Sequence, residues 1–173
     1  MSTNREFEVL VFDWDGTLMD SEAEIVACMD FAIRHHGIRP GPPEVLRRII
    51  GLGLVEAVAQ LLPEESTELH KEISATYRKR FLADSKKGSA LFPDVVETLH
   101  SLDAEGYILS VATGKSRVGL DRALRDTGLE SLFPVTRCAD ETFSKPHPQM
   151  LEEIKTDLDV TADRMLMIGD TEY

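Results

Sequence analysis

The chain has 173 residues, 42% of them hydrophobic, which suits one domain or one small core carrying an insertion. Its formal net charge of −12 argues against a nucleic-acid partner, because binding a polyanion depends on clustered Lys and Arg that neutralise phosphates. With no long apolar stretch and no charged-then-apolar leader, neither a membrane span nor a signal peptide is expected, and the expected location is cytoplasmic.

The first element is the run Val9-Leu10-Val11-Phe12, whose β-branched and aromatic residues read as a buried parallel strand. Directly behind it stands Asp13-Trp14-Asp15-Gly16-Thr17. Strand residues two apart share a face, so Asp13 and Asp15 can converge on one small volume. Like charges held that close cannot both stay ionised cheaply without a cation or a shared proton. Taken alone, the same letters also suit a solvated turn.

Between Asp20 and Leu91 the strand signal disappears, and helical patterns run over residues 22–36, 44–50, 55–62 and 66–83. Gly37, Gly51 and Pro63 punctuate their ends. His35 and His36 mark a helix end, where imidazole suits the negative dipole. Arg47 and Arg48 are the charges of this block best placed to face a substrate, although a solvated helix surface explains them more simply. Cys28 and Cys138 lie in unrelated segments without metal spacing and read as buried free thiols.

The chain returns through Leu91-Phe92-Pro93-Asp94, where Asp94 followed by Glu97 reads as an N-cap for the next helix. A second apolar run, residues 107–112, ends in Thr113, then Gly114-Lys115-Ser116 and a helical pattern over 117–127. A hydroxyl and free backbone N–H groups there suit an anion, and a plain strand end with Ser116 as helix cap suits the letters as well. Lys145 sits between Ser144 and Pro146, with Pro148 stiffening the entry to a helix over 148–157, and His147 reads as a spacer. A third run, residues 164–168, ends in Gly169-Asp170. Hard carboxylate oxygens of this kind are what Mg²⁺ prefers.

DWDGT at 13–17, ATGK at 112–115, SKPHP at 144–148 and MIGDTEY at 167–173 together resemble the haloacid dehalogenase-like superfamily, nearest its phosphoglycolate-phosphatase-like branch with a helical cap. The resemblance implies an α/β fold: a Rossmann-like parallel sheet core from residues 1–19 and 92–173, with an all-helical cap over 20–91 inserted after the first strand. It implies Asp13 as nucleophile, forming an aspartyl phosphate, and Asp15 as the acid and then the base. Thr113, the Gly114 amide and Lys145 would hold the phosphate oxygens. Mg²⁺ would lie between the Asp13 and Asp170 carboxylates and the Asp15 main-chain carbonyl. Asp15, past the strand end, is expected to be free to swing towards a leaving group. The implied activity is Mg²⁺-dependent hydrolysis of a small phosphorylated metabolite, such as phosphoglycolate or a sugar phosphate.

The acid position argues against dehalogenation, since a halide leaves without a proton and an alkoxide does not. A sugar-phosphate mutase, or a catalytically impaired fragment that acts as a binding module, are the alternatives. In the resemblance the last motif carries a further aspartate, and another strand and helix follow. The sequence stops at Tyr173, so truncation is expected, with Glu172 as a poor substitute and self-association through an exposed sheet edge.

Overall fold

A computed structural model describes residues 5–84 and 89–171. Its centre is a four-stranded parallel sheet, three of whose strands follow the apolar runs of the sequence. β1 (Val9–Phe12) is buried along its whole length. It is flanked by β4 (Ile108–Thr113) and β6 (Met165–Ile168), with Val9 opposite both Ile108 and Met165. β5 (Val135–Cys138) pairs with β4, giving the order β5-β4-β1-β6.

The two-residue alternation of β1 decides what lies on each side. Leu10 and Phe12 join Leu109, Val111, Leu120 and Leu124 beneath α5 (Val95–Ala104) and α6 (Arg117–Thr127). Val9 and Val11 join Ala112, Met150 and Ile154 beneath α7 (Gln149–Asp157). Covering both faces is what lets a parallel strand be uniformly apolar. Burying side chains of this size contributes about 1.5–3 kcal/mol each.

Four helices occupy the stretch between β1 and α5: α1 (Glu22–His35), α2 (Pro43–Arg47), α3 (Leu54–Leu61) and α4 (Thr67–Asp84). They close on an apolar cluster of their own, with Met29, Ile33, Leu46, Val58 and Ile73 at its centre. The chain enters and leaves this block through a short antiparallel ribbon, β2 (Met19–Asp20) against β3 (Ala90–Leu91), so its two crossings lie side by side.

The structure departs from the sequence reading at four places. α2 stops at Arg47, because residues 48–52 turn back on themselves, with Gly51 in the left-handed region at φ 98°. The β2–β3 ribbon and β5 were not expected; their residues are too few or too polar to make an apolar run. Asp94 is the third correction in kind: it does not cap α5 with its side chain but takes φ 65° at the helix entrance. Its role is set by backbone, which also explains why Glu97 has nothing to answer. The fourth concerns Asp15 and is described with the site below. Cys28 and Cys138 are both buried, and burial pushes the Cys138 thiol up to about 12.

No helix among the described residues is long and apolar enough to cross a membrane. At φ 65° a glycine relieves strain that a side chain must bear, and no cap is lost with the carboxylate. Asp94→Gly is therefore expected to raise stability by about 0.5–1 kcal/mol in urea unfolding. A fall of about 1 kcal/mol would restore the capping interpretation.

Candidate active site

Alternation in β1 carries past its end. Trp14 continues the Leu10–Phe12 side and packs edge-on against Phe133, leaving Asp13 on the side of α7. The backbone N–H of Asp13 still donates to Ile168, at 2.9 Å, so the carboxylate is held by the sheet itself. Its Oδ1 accepts from the Trp14 N–H at 2.7 Å, and Lys145 Nζ stands 2.7 Å from its Oδ2. Both side chains are out of water, at 2% and 6% exposure. Burial pushes the Asp13 carboxyl above its ordinary value, and Lys145 and the Trp14 amide pull it only part of the way back.

Lys145 arrives from the turn ahead of α7. The Lys145–Pro146 bond is cis, the His147 N–H donates to Ser144 at 3.1 Å, and His147 Nδ1 accepts from the Gln149 N–H at 3.2 Å. His147 thus helps shape the helix entrance rather than facing Asp13.

Asp15 stands on a tight loop in which the Leu18 and Met19 N–H groups both donate to the Trp14 carbonyl at 3.0 Å. Sequence reasoning expects this carboxylate to swing freely. Instead Ser21 Oγ donates to its Oδ1 at 2.6 Å and Lys115 Nζ lies 2.9 Å from the same oxygen. Both contacts fall on one oxygen and fix the orientation of the carboxylate. Lys115 in turn sits 5.0 Å over the Phe81 ring of α4, which stacks on Tyr77. Burial, with the Asp15 charge adding to it, lifts the Tyr77 hydroxyl well above its ordinary value, so it stays neutral.

Thr113 is fully buried at the end of β4, and its hydroxyl oxygen accepts from the Lys115 N–H at 3.2 Å. The hydroxyl proton remains to be donated. Ser116 caps α6, accepting from the Gly119 N–H at 3.3 Å, so the anion-suited loop and the helix cap coexist. Gly114 lies flat beneath the helical block. A Cβ there would come 2.8 Å from the Gly51 carbonyl oxygen and closer still to that of Leu52. A second tie crosses the same boundary, from the Gly53 N–H to Ser144 Oγ at 2.6 Å.

Asp170 follows β6, and its carboxylate rests on the Asp13–Thr17 loop. Gly16 stands at φ 80°, and a Cβ on it would run into both oxygens of Asp170, the farther at 2.9 Å. Thr17 Oγ1 donates to Asp170 Oδ1 at 3.3 Å, and a Cβ on Gly169 would lie 3.7 Å from that of Asp13. All of Asp13, Asp15, Thr113, Gly114, Lys145 and Asp170 therefore come from the carboxyl ends of three neighbouring strands and one turn, where open α/β sheets bind ligands. Among the described residues no three His, Cys, Asp or Glu side chains gather into a metal cage. The implied Mg²⁺ site asks for less, two carboxylates and one main-chain carbonyl, and Glu172 lies outside the described residues.

Between the sheet and the helical block is a cavity of about 640 Å³, reached at Asp15, Gly114 and Lys115. Arg47 and Arg48 are not on its wall, and Arg47 instead pairs with Glu22 at the surface. The residues that sequence reasoning missed are Ser21, Lys115, Ser144 and the Tyr77–Phe81 stack. Lys115 and Ser144 had a signal, their places in ATGK and SKPHP, and Ser21 and the Tyr77–Phe81 stack had none.

Replacing Gly16 with Ala adds a side chain at positive φ and displaces Asp170. Gly16→Ala is expected to cost about 1–2 kcal/mol in stability and to weaken Mg²⁺ binding in calorimetric titration. Unchanged affinity would separate Asp170 from the metal.

A profile of the haloacid dehalogenase-like hydrolases matches residues 10–173. A protein of Dickeya dadantii named "Probable phosphatase IndB" is 33% identical over 171 residues, covering 95% of this chain and 74% of that one. A phosphoglycolate phosphatase of Colwellia psychrerythraea is 30% identical, covering 96% and 77%. A crystal structure from Bacteroides fragilis, assigned to haloacid dehalogenase-like hydrolases, superposes with a TM-score of 0.88 at 26% identity, covering 95% and 79%. With four motifs at one end of one sheet, and this similarity along nearly its whole length, the chain belongs to the haloacid dehalogenase-like hydrolase family.

Proposed function

We propose that the protein is a phosphoric monoester hydrolase that works in two steps through an aspartyl phosphate on Asp13, with residues 20–91 serving as a cap over the core. The observation that carries this reading is the buried Asp13–Lys145 pair at 2.7 Å, set beside an Asp15 whose Oδ1 is held by Ser21 and Lys115. Relatives named as phosphatases support the reaction class.

In the first step an Asp13 oxygen attacks phosphorus and the bond to the leaving oxygen breaks, while Asp15 gives that oxygen its proton. In the second, Asp15 takes a proton from water as the water oxygen attacks phosphorus. The bond to Asp13 then breaks and inorganic phosphate is released. The Thr113 hydroxyl, the Gly114 N–H and Lys145 hold the non-bridging oxygens, since positioning and electrostatics supply most of the catalysis in phosphoryl transfer. Ser21 and Lys115 are positioning residues that fix the orientation of Asp15.

The donor set also fits Mg²⁺. Asp13 is more crowded by burial than Lys145 alone relieves, the Asp170 carboxylate is seated on Gly16 beside it, and every donor is a hard oxygen. The Asp13 and Asp170 carboxylates and the Asp15 main-chain carbonyl would hold the ion. Bound there, it offsets the repulsion between an anionic nucleophile and an anionic ester.

Phosphoglycolate, named in several relatives, is the first ester to assay. Asp13→Asn is expected to reduce phosphate release to background, and EDTA to abolish it until Mg²⁺ is restored. Asp15→Asn is expected to slow alkyl phosphates about 10²–10⁴-fold, and p-nitrophenyl phosphate far less, because nitrophenolate leaves without a proton. Equal losses on both esters would remove Asp15 from the acid role, and wild-type turnover by Asp13→Asn would remove the covalent step.

A further inference from the structure

The cavity adjoins the proposed chemistry on one side only. Asp15, Gly114 and Lys115 are on its wall, whereas Asp13, Thr113, Lys145 and Asp170 are not. It therefore opens beside the residue that protonates the leaving oxygen and away from the nucleophile, so it receives the alcohol portion of the ester. Resting on the reading above, we infer that the substrate is a phosphomonoester of a bulky apolar alcohol, with a planar or aromatic body, rather than of a small hydroxy acid.

Three observations point the same way. The volume of about 640 Å³ falls in the range of roughly 300–1,000 Å³ that takes drug-sized ligands, far above what a glycolate fills. The wall is mainly apolar: Ile25, Met29, Ile50 and Leu54 stand on the helical block and Val118 on α6, and the stacked Tyr77–Phe81 pair offers ring surface. With Asp15 carrying the proton it donates, the charges on the wall are the carboxylates of Glu56 and Asp140 against the cations Arg78 and Lys115, two to two, and Lys115 is held at Asp15. An anionic leaving group therefore finds no surplus cation on the wall to receive its charge. An uncharged apolar body needs none and gains the burial of its own surface.

Binding of non-hydrolysable phosphonates tests this independently of turnover. With Mg²⁺ present, (1-naphthylmethyl)phosphonate is expected to bind at least about tenfold tighter than 3-phosphonopropionate, the isostere of phosphoglycolate, in calorimetric titration. Val118 is 66% exposed, so Val118→Trp narrows the cavity without burdening the fold, and it is expected to cut that preference about tenfold. Equal binding, tighter binding of 3-phosphonopropionate, or no binding of either would overturn the inference. Phosphate release from naphthyl phosphate and phosphoglycolate is measured alongside. Tight naphthyl binding without hydrolysis of either ester would overturn the hydrolase reading and leave the cavity assignment standing, while hydrolysis with a preference for phosphoglycolate would do the reverse.

Discussion

The buried pair between Asp13 and Lys145 is the constraint that the rest of the site depends on. An isolated carboxylate moved out of water would neutralise itself or cost far more than a fold of this size can bear. Here burial still outweighs the attraction of the lysine, since the carboxyl remains above its ordinary value. Removing one partner of such a pair typically costs about 3–5 kcal/mol, which ties the end of β1 to the turn before α7. That tie needs the alternation of β1, which aims Asp13 at the α7 side, and a stiff turn that delivers Lys145 without giving it room to reach water.

The same crowding links chemistry to the cover above it. The Lys115 ammonium touches both Asp15 on the core and the Phe81 face on α4, while Gly51 to Gly53 lie on Gly114 and bond to Ser144. The helical block thus meets the sheet at the two loops proposed to hold phosphate oxygens. Opening the block would break contacts at those loops, and closing it would restore them together with the seating of Asp15. Closure of this kind excludes water and completes a catalytic arrangement in one movement. A hinge for such closure would fall at the β2–β3 ribbon, which is two residues long on each side and the only strand pairing between the crossings among the described residues.

Much of this was legible because buried parallel strands have little choice of composition. Val9 to Phe12, and the runs ahead of Thr113 and Asp170, each announce a strand by apolar continuity, and the polar residues that end them are gathered at one end of the sheet. The helix over residues 117–127 was legible through its pattern and its serine cap. What stayed hidden depends on long-range geometry. Lys115 stands in a motif, but its hold on Asp15 is visible only once the fold brings the two to 2.9 Å, and Ser21 carries no local mark of its bond to the same carboxylate. Asp94 shows how local letters mislead: a residue type that both caps helices and tolerates positive φ was read for the first and used for the second. β5 escaped because Thr136 and Arg137 interrupt it. Arg137 instead ties the sheet edge to Glu153 and Asp157 of α7.

The central claim is that Asp13 is the atom-bearing acceptor of the phosphoryl group, with Lys145 and Thr113 around it and a divalent ion between Asp13 and Asp170. A crystal structure grown with Mg²⁺ and beryllofluoride tests it most directly, because that anion mimics a carboxyl-bound phosphoryl group. The account predicts a trifluoroberyllate joined to an Asp13 oxygen, in contact with Lys145 and the Thr113 hydroxyl, and an ion bridging Asp13 and Asp170. Beryllofluoride bound to Asp15, or seated away from all of these residues, would contradict it.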